Sequence, residues 1–268
     1  MKKLIPIFLM LTLTACNAKV TEESNSENET TTNSSNELWK EDLEQNKVDS
    51  LAFKSADKII KTEKSELEKR LIQAGLIDVQ ALDSSIEVDV KYATKDNFMG
   101  SVLYDGYDKV YLQPEVAERL SKAQKALQSI DSLLTLLVFD GTRPRSVQQE
   151  MWEALDSIPF KERIKFVSNP KNGSIHNYGA AVDLTIMNKY SGVLLDMGAD
   201  YDDLRKIAYP RHEEKFLASG ELTELQVQNR KLLRKVMRAG GFWVIETEWW
   251  HFNAFSRKKA HEMFEIVE

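Results

Sequence analysis

The sequence predicts one domain of the α+β class. Pro114 to Ile130 is predicted as a helix with proline in its first turn. Leu133 to Phe139 is almost entirely apolar, which is typical of a buried central strand, and Ser85 to Tyr92 alternates as a further strand does. Because helices and strands mix without a repeating parallel strand-helix-strand unit, we expect an α+β domain rather than an α/β sheet.

The first residues have the features of an export signal. Lys2-Lys3 precede an apolar run from Leu4 to Leu13, which is too short to span a bilayer permanently. The run leads into Leu13-Thr14-Ala15-Cys16, which resembles the lipobox of bacterial lipoproteins. We expect residues 1–15 to be a signal peptide and Cys16 to be lipid-modified. The alternative is an ordinary signal peptide followed by an incidental cysteine.

The predicted lipid on Cys16 implies an exported protein that is anchored to the cell membrane. In a Gram-negative host this means the outer membrane or the periplasmic face. Cys16 is the only cysteine, so no intrachain disulfide can form. Without Lys2 and Lys3 the chain has 34 basic and 42 acidic residues, a formal charge of −8, which argues against nucleic acid as a partner.

Three segments follow the signal peptide. Residues 16–37 are polar and rich in Ser, Thr, Asn and Glu, which predicts a disordered tether. Residues 38–75 combine charges with spaced apolar side chains, which predicts one or two amphipathic helices that end at Gly75 and pack against the domain. Residues 76–268 form the predicted α+β domain, which contains the candidate site residues described below.

Local patterns place further elements within that domain. Ser146-Val147-Gln148-Gln149 and Thr223-Glu224-Leu225-Gln226 both have the pattern of a capping box, which starts a helix. Gly240-Gly241 is expected to end the second of these helices. Trp243 to Phe252 is rich in β-branched and aromatic residues, which favours a strand.

Three side chains have the types of a catalytic zinc site. Such a site holds one zinc ion by three His, Asp or Glu ligands and keeps a fourth position for water. His176, Asp183 and His251 supply that set. Asp183 lies in an alternating strand pattern, so we expect a rigid element to carry it. The small residues of the run 179–181 allow the backbone to pass close to a metal or substrate.

Glu248 is the candidate for proton transfer. It precedes His251 by three residues, so the two side chains would face opposite sides of a regular strand. A bulge or the end of the strand must therefore fall between them if both serve one site. Glu246 is a nearby competitor that the spacing alone does not exclude.

Several motifs together resemble a known family. Ser174-x-His176-x-x-Gly179-x-Ala181-x-Asp183 with Glu248-x-Trp250-His251 looks like the VanX-type zinc D-alanyl-D-alanine dipeptidases of peptidase family M15. The likeness covers about Leu76 to Phe255. Further matching stretches are Lys91-Tyr92-Ala93-Thr94, Asp96-Asn97-Phe98, Asp140-Gly141-Thr142-Arg143-Pro144, Asp196-Met197-Gly198, Tyr201-Asp202 and Asn229-Arg230-Lys231-Leu232-Leu233.

The resemblance implies a mixed or antiparallel central sheet flanked by helices, as in hedgehog-like D-Ala-D-Ala peptidases. It implies zinc-dependent hydrolysis of D-alanyl-D-alanine or a related D-containing dipeptide in peptidoglycan metabolism. Glu248 would be the general base and acid, and Arg143 would stabilise the oxyanion. Asp202 would bind the substrate ammonium, with Tyr92 and Ser174 hydrogen-bonding nearby.

Alternatives stay open for the function and for single residues. A D,D-carboxypeptidase or L,D-endopeptidase acting on longer wall peptides is one alternative function, and a non-catalytic envelope binding protein is another. Arg143 could serve only in a salt bridge, and Asp202 could belong to a solvated acidic turn. His212 and His261 are expected to be exposed and non-catalytic. Trp249 and Trp250 are expected to form wall and core.

Overall fold

The computed structural model describes residues 64–104, 106–164 and 167–268. The predicted signal peptide, Cys16 with its tether, and most of the 38–75 extension lie outside the described residues. In the part of the chain that is described, no helix is long and apolar enough to cross a membrane.

A five-stranded mixed sheet organises the domain and confirms the predicted α+β class. Its strands are β2 (Glu87–Val88), β4 (Leu134–Asp140), β5 (Ala181–Asn188), β6 (Trp243–Val244) and β7 (His251–Asn253), in the order β2-β4-β5-β7-β6. The pair β2 and β4 is parallel, and the other pairs are antiparallel. Two further strands, β1 (Ile77–Asp78) and β3 (Tyr111–Leu112), form a separate antiparallel pair.

The central strands position the site. All residues of β4 are buried, as its apolar sequence predicts. The register between β4 and β5 shifts between Val138 and Asp140, so that Asp140 pairs with Asp183. On its other side Asp183 pairs with His251 of β7. Strand β4 thus places Asp140, and strand β7 places His251, on opposite sides of Asp183.

The helices of the described residues flank this sheet. They are α1 (Glu66–Gln73), α2 (Val79–Leu82), α3 (Pro114–Ile130), α4 (Arg145–Ala154), α5 (Phe160–Arg163), α6 (Glu213–Ala218), α7 (Glu224–Ala239) and α8 (Arg257–Met263).

The two longest helices, α3 and α7, pack against each other. The α3 helix begins at Pro114 as predicted, and it buries an apolar stripe that includes Leu120 and Leu127. The predicted capping box of Thr223 starts α7, which ends before Gly240. A Cβ at Gly240 would lie 2.5 Å from the backbone oxygen of Arg119, so only glycine permits this close contact.

The described end of the 38–75 segment is α1. Its Leu67 and Leu71 belong to the main hydrophobic core. The Tyr111 hydroxyl donates to Glu68 Oε1 at 2.7 Å, which ties this helix to β3. The apolar contacts and this hydrogen bond show that α1 packs against the domain, as predicted for the end of the 38–75 segment.

Three predicted elements differ from the structure. The strand expected over Ser85 to Tyr92 is confined to Glu87–Val88, because the chain turns into a 3₁₀ helix at Lys91–Ala93. The predicted capping box at Ser146 is wrong, since the N-cap of α4 is Pro144, two residues earlier, and it has no side-chain cap. The single strand expected over Trp243 to Phe252 is a hairpin, in which β6 and β7 pair with each other.

Candidate metal centre and active site

The three predicted metal ligands come from separate backbone segments that meet beside β5. His176 lies in the 3₁₀ turn Ile175–Tyr178, Asp183 in β5, and His251 begins β7. One potential ligand atom from each side chain lies within 4.8 Å of the others. Within the described chain, this is the only group of three His, Cys, Asp or Glu side chains with such spacing.

Each imidazole is held through one nitrogen and presents the other to Asp183. His176 Nδ1 lies 2.7 Å from the Gly141 carbonyl oxygen, which can only accept, so this nitrogen carries the hydrogen. His176 Nε2 is 3.3 Å from Asp183 Oδ1. His251 is turned the other way, with Nε2 at 2.9 Å from Asn253 Oδ1 and Nδ1 at 3.0 Å from Asp183 Oδ1.

The geometry and chemistry of these donors fit a divalent cation. The two presented nitrogens, His176 Nε2 and His251 Nδ1, are 3.1 Å apart and face the same carboxylate. Two imidazoles and one carboxylate are a ligand set of catalytic zinc sites. The hydrogen bonds from their outer nitrogens set the tautomers that leave Nε2 and Nδ1 free to coordinate.

The charges of the group also favour a cation. Although burial opposes ionisation, the two histidines hold the pKa of Asp183 far below its usual value. Asp183 in turn raises the pKa of His251 to about 9, against the opposing effect of burial. The carboxylate thus stabilises positive charge in the space between the two rings.

Small residues let the ligand turn lie close to its neighbours, as the sequence indicates. Gly179 follows the turn with a φ of 65°, a left-handed conformation that favours glycine. A Cβ at this position would lie 2.8 Å from the Leu76 side chain and 2.8 Å from Thr142 Oγ1. Ala180 and Ala181 are fully buried. The glycine therefore allows the His176 turn to pack on the loop that follows β4.

Glu248 lies in the turn between β6 and β7. Because β7 begins at His251, the end of a strand separates the two residues, which is one of the two arrangements that the sequence left open. Glu248 Oε2 is 3.8 Å from His251 Nδ1. Burial raises the pKa of the Glu248 carboxyl, and the charge of Asp183 adds to this. The competitor Glu246 is 77% exposed and pairs with Arg211 at 3.0 Å.

Arg143 reaches the same cavity from the loop after β4. Its Nε and Nη2 donate to Asp140 Oδ2, and its Nη2 lies 3.6 Å from Asp183 Oδ2. Tyr104 donates to the other oxygen of Asp140 at 2.9 Å and fixes that carboxylate. The guanidinium carbon lies 4.9 Å from the centre of the Tyr92 ring. In the described structure no protein group accepts from Nη1, so this nitrogen is available to a ligand.

Asp202 and Tyr92 form another part of the cavity wall. The Tyr92 hydroxyl donates to Asp202 Oδ2 at 3.2 Å. Asp202 has a φ of 60°, which is uncommon for a residue with a side chain. Burial, aided by the charge of Asp183, raises the pKa of Asp202 to about 8. The sequence left open that Asp202, with aspartates on either side, belongs to a solvated acidic turn. Its raised pKa and its contact with Tyr92 argue against that alternative.

Ser174 precedes the His176 turn and is 6% exposed. Its backbone N–H donates to Asn177 Oδ1 at 2.6 Å. Its oxygen faces the backbone N–H of Asn177 in a capping box, but its O–H hydrogen has no acceptor in the described structure, although a buried hydroxyl normally has one. The side chain lines the cavity, so a bound ligand can satisfy this group.

One cavity of about 620 Å³ contains the predicted site. Its lining includes Tyr92, Arg143, Ser174, His176, Asp183, Asp202, Glu248 and His251. A larger cavity of about 780 Å³ shares Asp202 and Phe98 but contains none of the three candidate metal ligands. The predicted site residues thus occupy the cavity in which the ligand donors meet.

The remaining histidines and the tryptophans lie outside the ligand group. His261 is exposed as predicted, and its ring lies near the Tyr178 hydroxyl. His212 is half-buried rather than exposed, because its ring stacks on Tyr209. Trp249 and Trp250 are 3% and 2% exposed, which agrees with the predicted wall and core.

Sequence reasoning assigned no role to residues that hold the site residues in place. Asn253 fixes His251, and Asp140 fixes Arg143. Asn253 is two residues beyond His251, so strand alternation places it on the same face, and this pattern could have identified it. The Gly141 carbonyl has no side-chain signature, so its contact with His176 could not be predicted.

A group of buried His176 and Asp183 with half-buried His251, beside a carboxylate and a guanidinium, is the kind of site that metal-dependent hydrolases have. A family model described as D-ala-D-ala dipeptidase, Peptidase M15, matches residues 72–267. The chain therefore belongs to this family, as its motifs indicate.

Curated relatives agree with this membership. The chain is 31% identical to a D-alanyl-D-alanine dipeptidase of Escherichia coli K12, over 66% of this chain and 83% of the relative. It is 28% identical to a D-alanyl-D-alanine dipeptidase of Enterococcus faecalis V583, over 68% of this chain and 92% of the relative. A solved LD-carboxypeptidase, LdcB, is 18% identical, with a TM-score of 0.35 over 57% of this chain and 63% of LdcB, which is too distant to add to these findings.

Proposed function

We propose that this protein is a zinc-dependent dipeptidase that hydrolyses D-alanyl-D-alanine or a closely related D-containing dipeptide. The observation that carries the proposal is the meeting of His176, Asp183 and His251 in one group, with Glu248 Oε2 3.8 Å from His251 Nδ1. Membership in the D-ala-D-ala dipeptidase family supports the choice of substrate.

His176 Nε2, His251 Nδ1 and the Asp183 carboxylate would hold the zinc ion. Zinc at this position supplies a Lewis acid and lowers the pKa of a nearby water to roughly 7. Gly141 and Asn253 hold the two rings in the orientations that such a site needs.

Glu248 moves the proton in the proposed reaction. Its carboxylate takes a proton from water, and the water oxygen forms a bond to the peptide carbonyl carbon. When the carbon–nitrogen bond breaks, Glu248 returns that proton to the leaving nitrogen. Burial raises the pKa of Glu248, which suits a group that must both accept and donate.

Arg143 stabilises the negative charge that develops on the carbonyl oxygen. Asp140 holds the guanidinium through Nε and Nη2, which leaves Nη1 to donate to the oxyanion. Because the group is oriented before the substrate arrives, little reorganisation is needed during the reaction.

Asp202 and Tyr92 recognise the free amino group of the dipeptide, and Ser174 adds a hydrogen bond to the substrate. A substrate ammonium beside Asp202 favours the charged carboxylate, whose pKa is otherwise raised by burial. A requirement for this ammonium separates a dipeptidase from enzymes that cut longer wall peptides.

The test uses the purified full chain, with zinc added, and measures D-alanine released from D-Ala-D-Ala and from N-acetyl-D-Ala-D-Ala. We expect release from the free dipeptide only, loss of release with a chelator, and its return with zinc. Release from the blocked dipeptide contradicts a strict dipeptidase and favours a D,D-carboxypeptidase. Release from neither contradicts the proposed activity.

We also propose that the protein is exported and anchored through lipid on Cys16. The apolar run before Leu13-Thr14-Ala15-Cys16 supports this proposal. An exported, anchored protein would act on dipeptides released from the cell wall rather than deplete a cytoplasmic precursor. Fatty-acid labelling in a bacterial host tests it: the native chain should carry label in the membrane fraction, and Cys16→Ala should not. Equal labelling of both chains contradicts the anchor.

A further inference from the structure

We propose that Arg257 binds the C-terminal carboxylate of the dipeptide, together with the hydroxyl of Ser174. This inference rests on the proposed dipeptidase function and adds a specificity-determining residue to it. A dipeptide carries an ammonium at one end and a carboxylate at the other. The cavity therefore needs hydrogen-bond acceptors for the first group and a cationic donor for the second.

The acceptor part of the cavity is formed by Asp202 and Tyr92, whose side chains contact each other. The proposed donor part is formed by Ser174, directly before the His176 turn, and Arg257 of α8, which line the same cavity. This assigns Ser174 to the carboxylate end of the dipeptide rather than to the ammonium end, where the resemblance placed it. Among the described residues no hydrogen bond or ion pair joins the two parts. Each part can thus hold one end of a zwitterion.

Arg257 is oriented by backbone contacts. Its Nη1 donates to the carbonyl oxygen of Asn172 at 3.0 Å and to that of Gly173, the residue directly before Ser174. No acidic side chain in the described chain pairs with Arg257, and no group there accepts from its Nε or Nη2. The Nε and Nη2 edge of a guanidinium is a fork that can bind both oxygens of one carboxylate.

Ser174 supplies the second observation. Its hydroxyl is buried beside the peptide that Arg257 holds, lines the cavity, and has no acceptor for its hydrogen in the described structure. An unpaired buried hydroxyl is costly unless a ligand completes its hydrogen bonding. A carboxylate is the ligand that accepts from a hydroxyl and a guanidinium together.

Two other exposed cations line the cavity and fit this role less well. Arg211 already pairs with Glu246 at 3.0 Å. Lys206 lies four residues after Asp202, on the chain segment that supplies the acceptor part, and no backbone group of the described residues contacts its amine. Lys206 is therefore the comparison residue for the test.

The test compares D-Ala-D-Ala with D-Ala-D-alaninamide, which lacks the carboxylate charge. We expect the native protein to hydrolyse the free acid with the higher kcat/KM. Arg257→Gln should lower kcat/KM for the free acid about 10- to 100-fold and change it little for the amide, because only the acid loses a charged hydrogen bond. Ser174→Ala should reduce the preference less.

Lys206→Gln and Lys258→Gln are the matched controls, since each also removes one positive charge. Lys258 follows Arg257 in α8, is 88% exposed, and lies outside the cavity lining. Both controls should keep the native preference for the acid.

Equal hydrolysis of acid and amide by the native protein overturns the inference and leaves the dipeptidase function standing. A similar loss on both substrates in Arg257→Gln also overturns it, because that result indicates a structural role. If Lys206→Gln loses the preference for the acid and Arg257→Gln keeps it, the carboxylate binds at Lys206 and the inference is wrong. Hydrolysis of neither substrate by the native protein refutes the proposed function and this inference with it.

Discussion

The metal-ligand side of the cavity and its amine-binding side are built differently. On the ligand side, Asp183 and His251 are paired residues of neighbouring strands, and the outer nitrogens of both histidines contact protein oxygens. On the amine side, Asp202 lies in a loop with a φ of 60°, and one hydrogen bond of 3.2 Å joins it to Tyr92.

This difference separates affinity for the metal from recognition of the substrate. Strand register holds the ligand side to one geometry, which a metal site requires. The loop that carries Asp202 can change in sequence or position without moving the ligands. We therefore expect substitutions on the two sides to have different readouts, metal content on one and substrate preference on the other.

The largest expected effect is at Glu248, which carries out both proton transfers of the proposed reaction. Glu248→Gln should lower kcat by roughly 10²–10⁴-fold, because the amide cannot accept the proton from water. Zinc content should stay native, since Glu248 is not among the three ligands. Glu246→Gln is the matched control and should remain active. Native turnover in Glu248→Gln would disprove the assigned role.

Arg143 should rank next. Arg143→Lys keeps a positive charge beside buried Asp140 but loses the planar donor set, so kcat should fall roughly 10²-fold with little change in KM. Steady-state kinetics and a thermal melt of the same preparation check this result. An increase in KM alone would show that Arg143 binds the ground state rather than the oxyanion.

Asp202 tests the amine side. Asp202→Asn should lower kcat/KM for D-Ala-D-Ala by up to about 100-fold, because the ammonium loses its charged partner. Zinc content should not change. The measurement is kcat/KM for the free and the N-acetylated dipeptide, and the preference for the free amine should decrease. A native preference in this variant would place the ammonium at another group.

The smallest expected effect is on the ligand side, at Asn253. Asn253→Ala removes the hydrogen bond to His251 Nε2, so zinc affinity should weaken about 10-fold. Asn253→Asp keeps an acceptor and is the matched variant that should retain affinity. Competition with a chromogenic chelator measures both. Equal affinity in all three proteins would show that the ring needs no support from Asn253.

Sequence reasoning was most successful where one local pattern carries the information. The helix from Pro114 and the Thr223 cap appear in the structure as predicted, because each depends on a few neighbouring residues. It was wrong for Trp243 to Phe252, where β propensity is the same for one long strand and for two short ones in a hairpin. The boundaries proposed before residue 64 stay predictions.

The sequence by itself determined the kinds of side chain at the site and the strand that carries Asp183. Residue types in their motifs identified His176, Asp183 and His251, and the family resemblance selected Glu248 over Glu246, before the structure was known. Only the tertiary structure decided that Asp140 and His251 lie on opposite sides of Asp183, and that Gly141 and Asn253 orient the two histidines. The physical reason is that strand register depends on burial and pairing between distant segments, which no local pattern encodes.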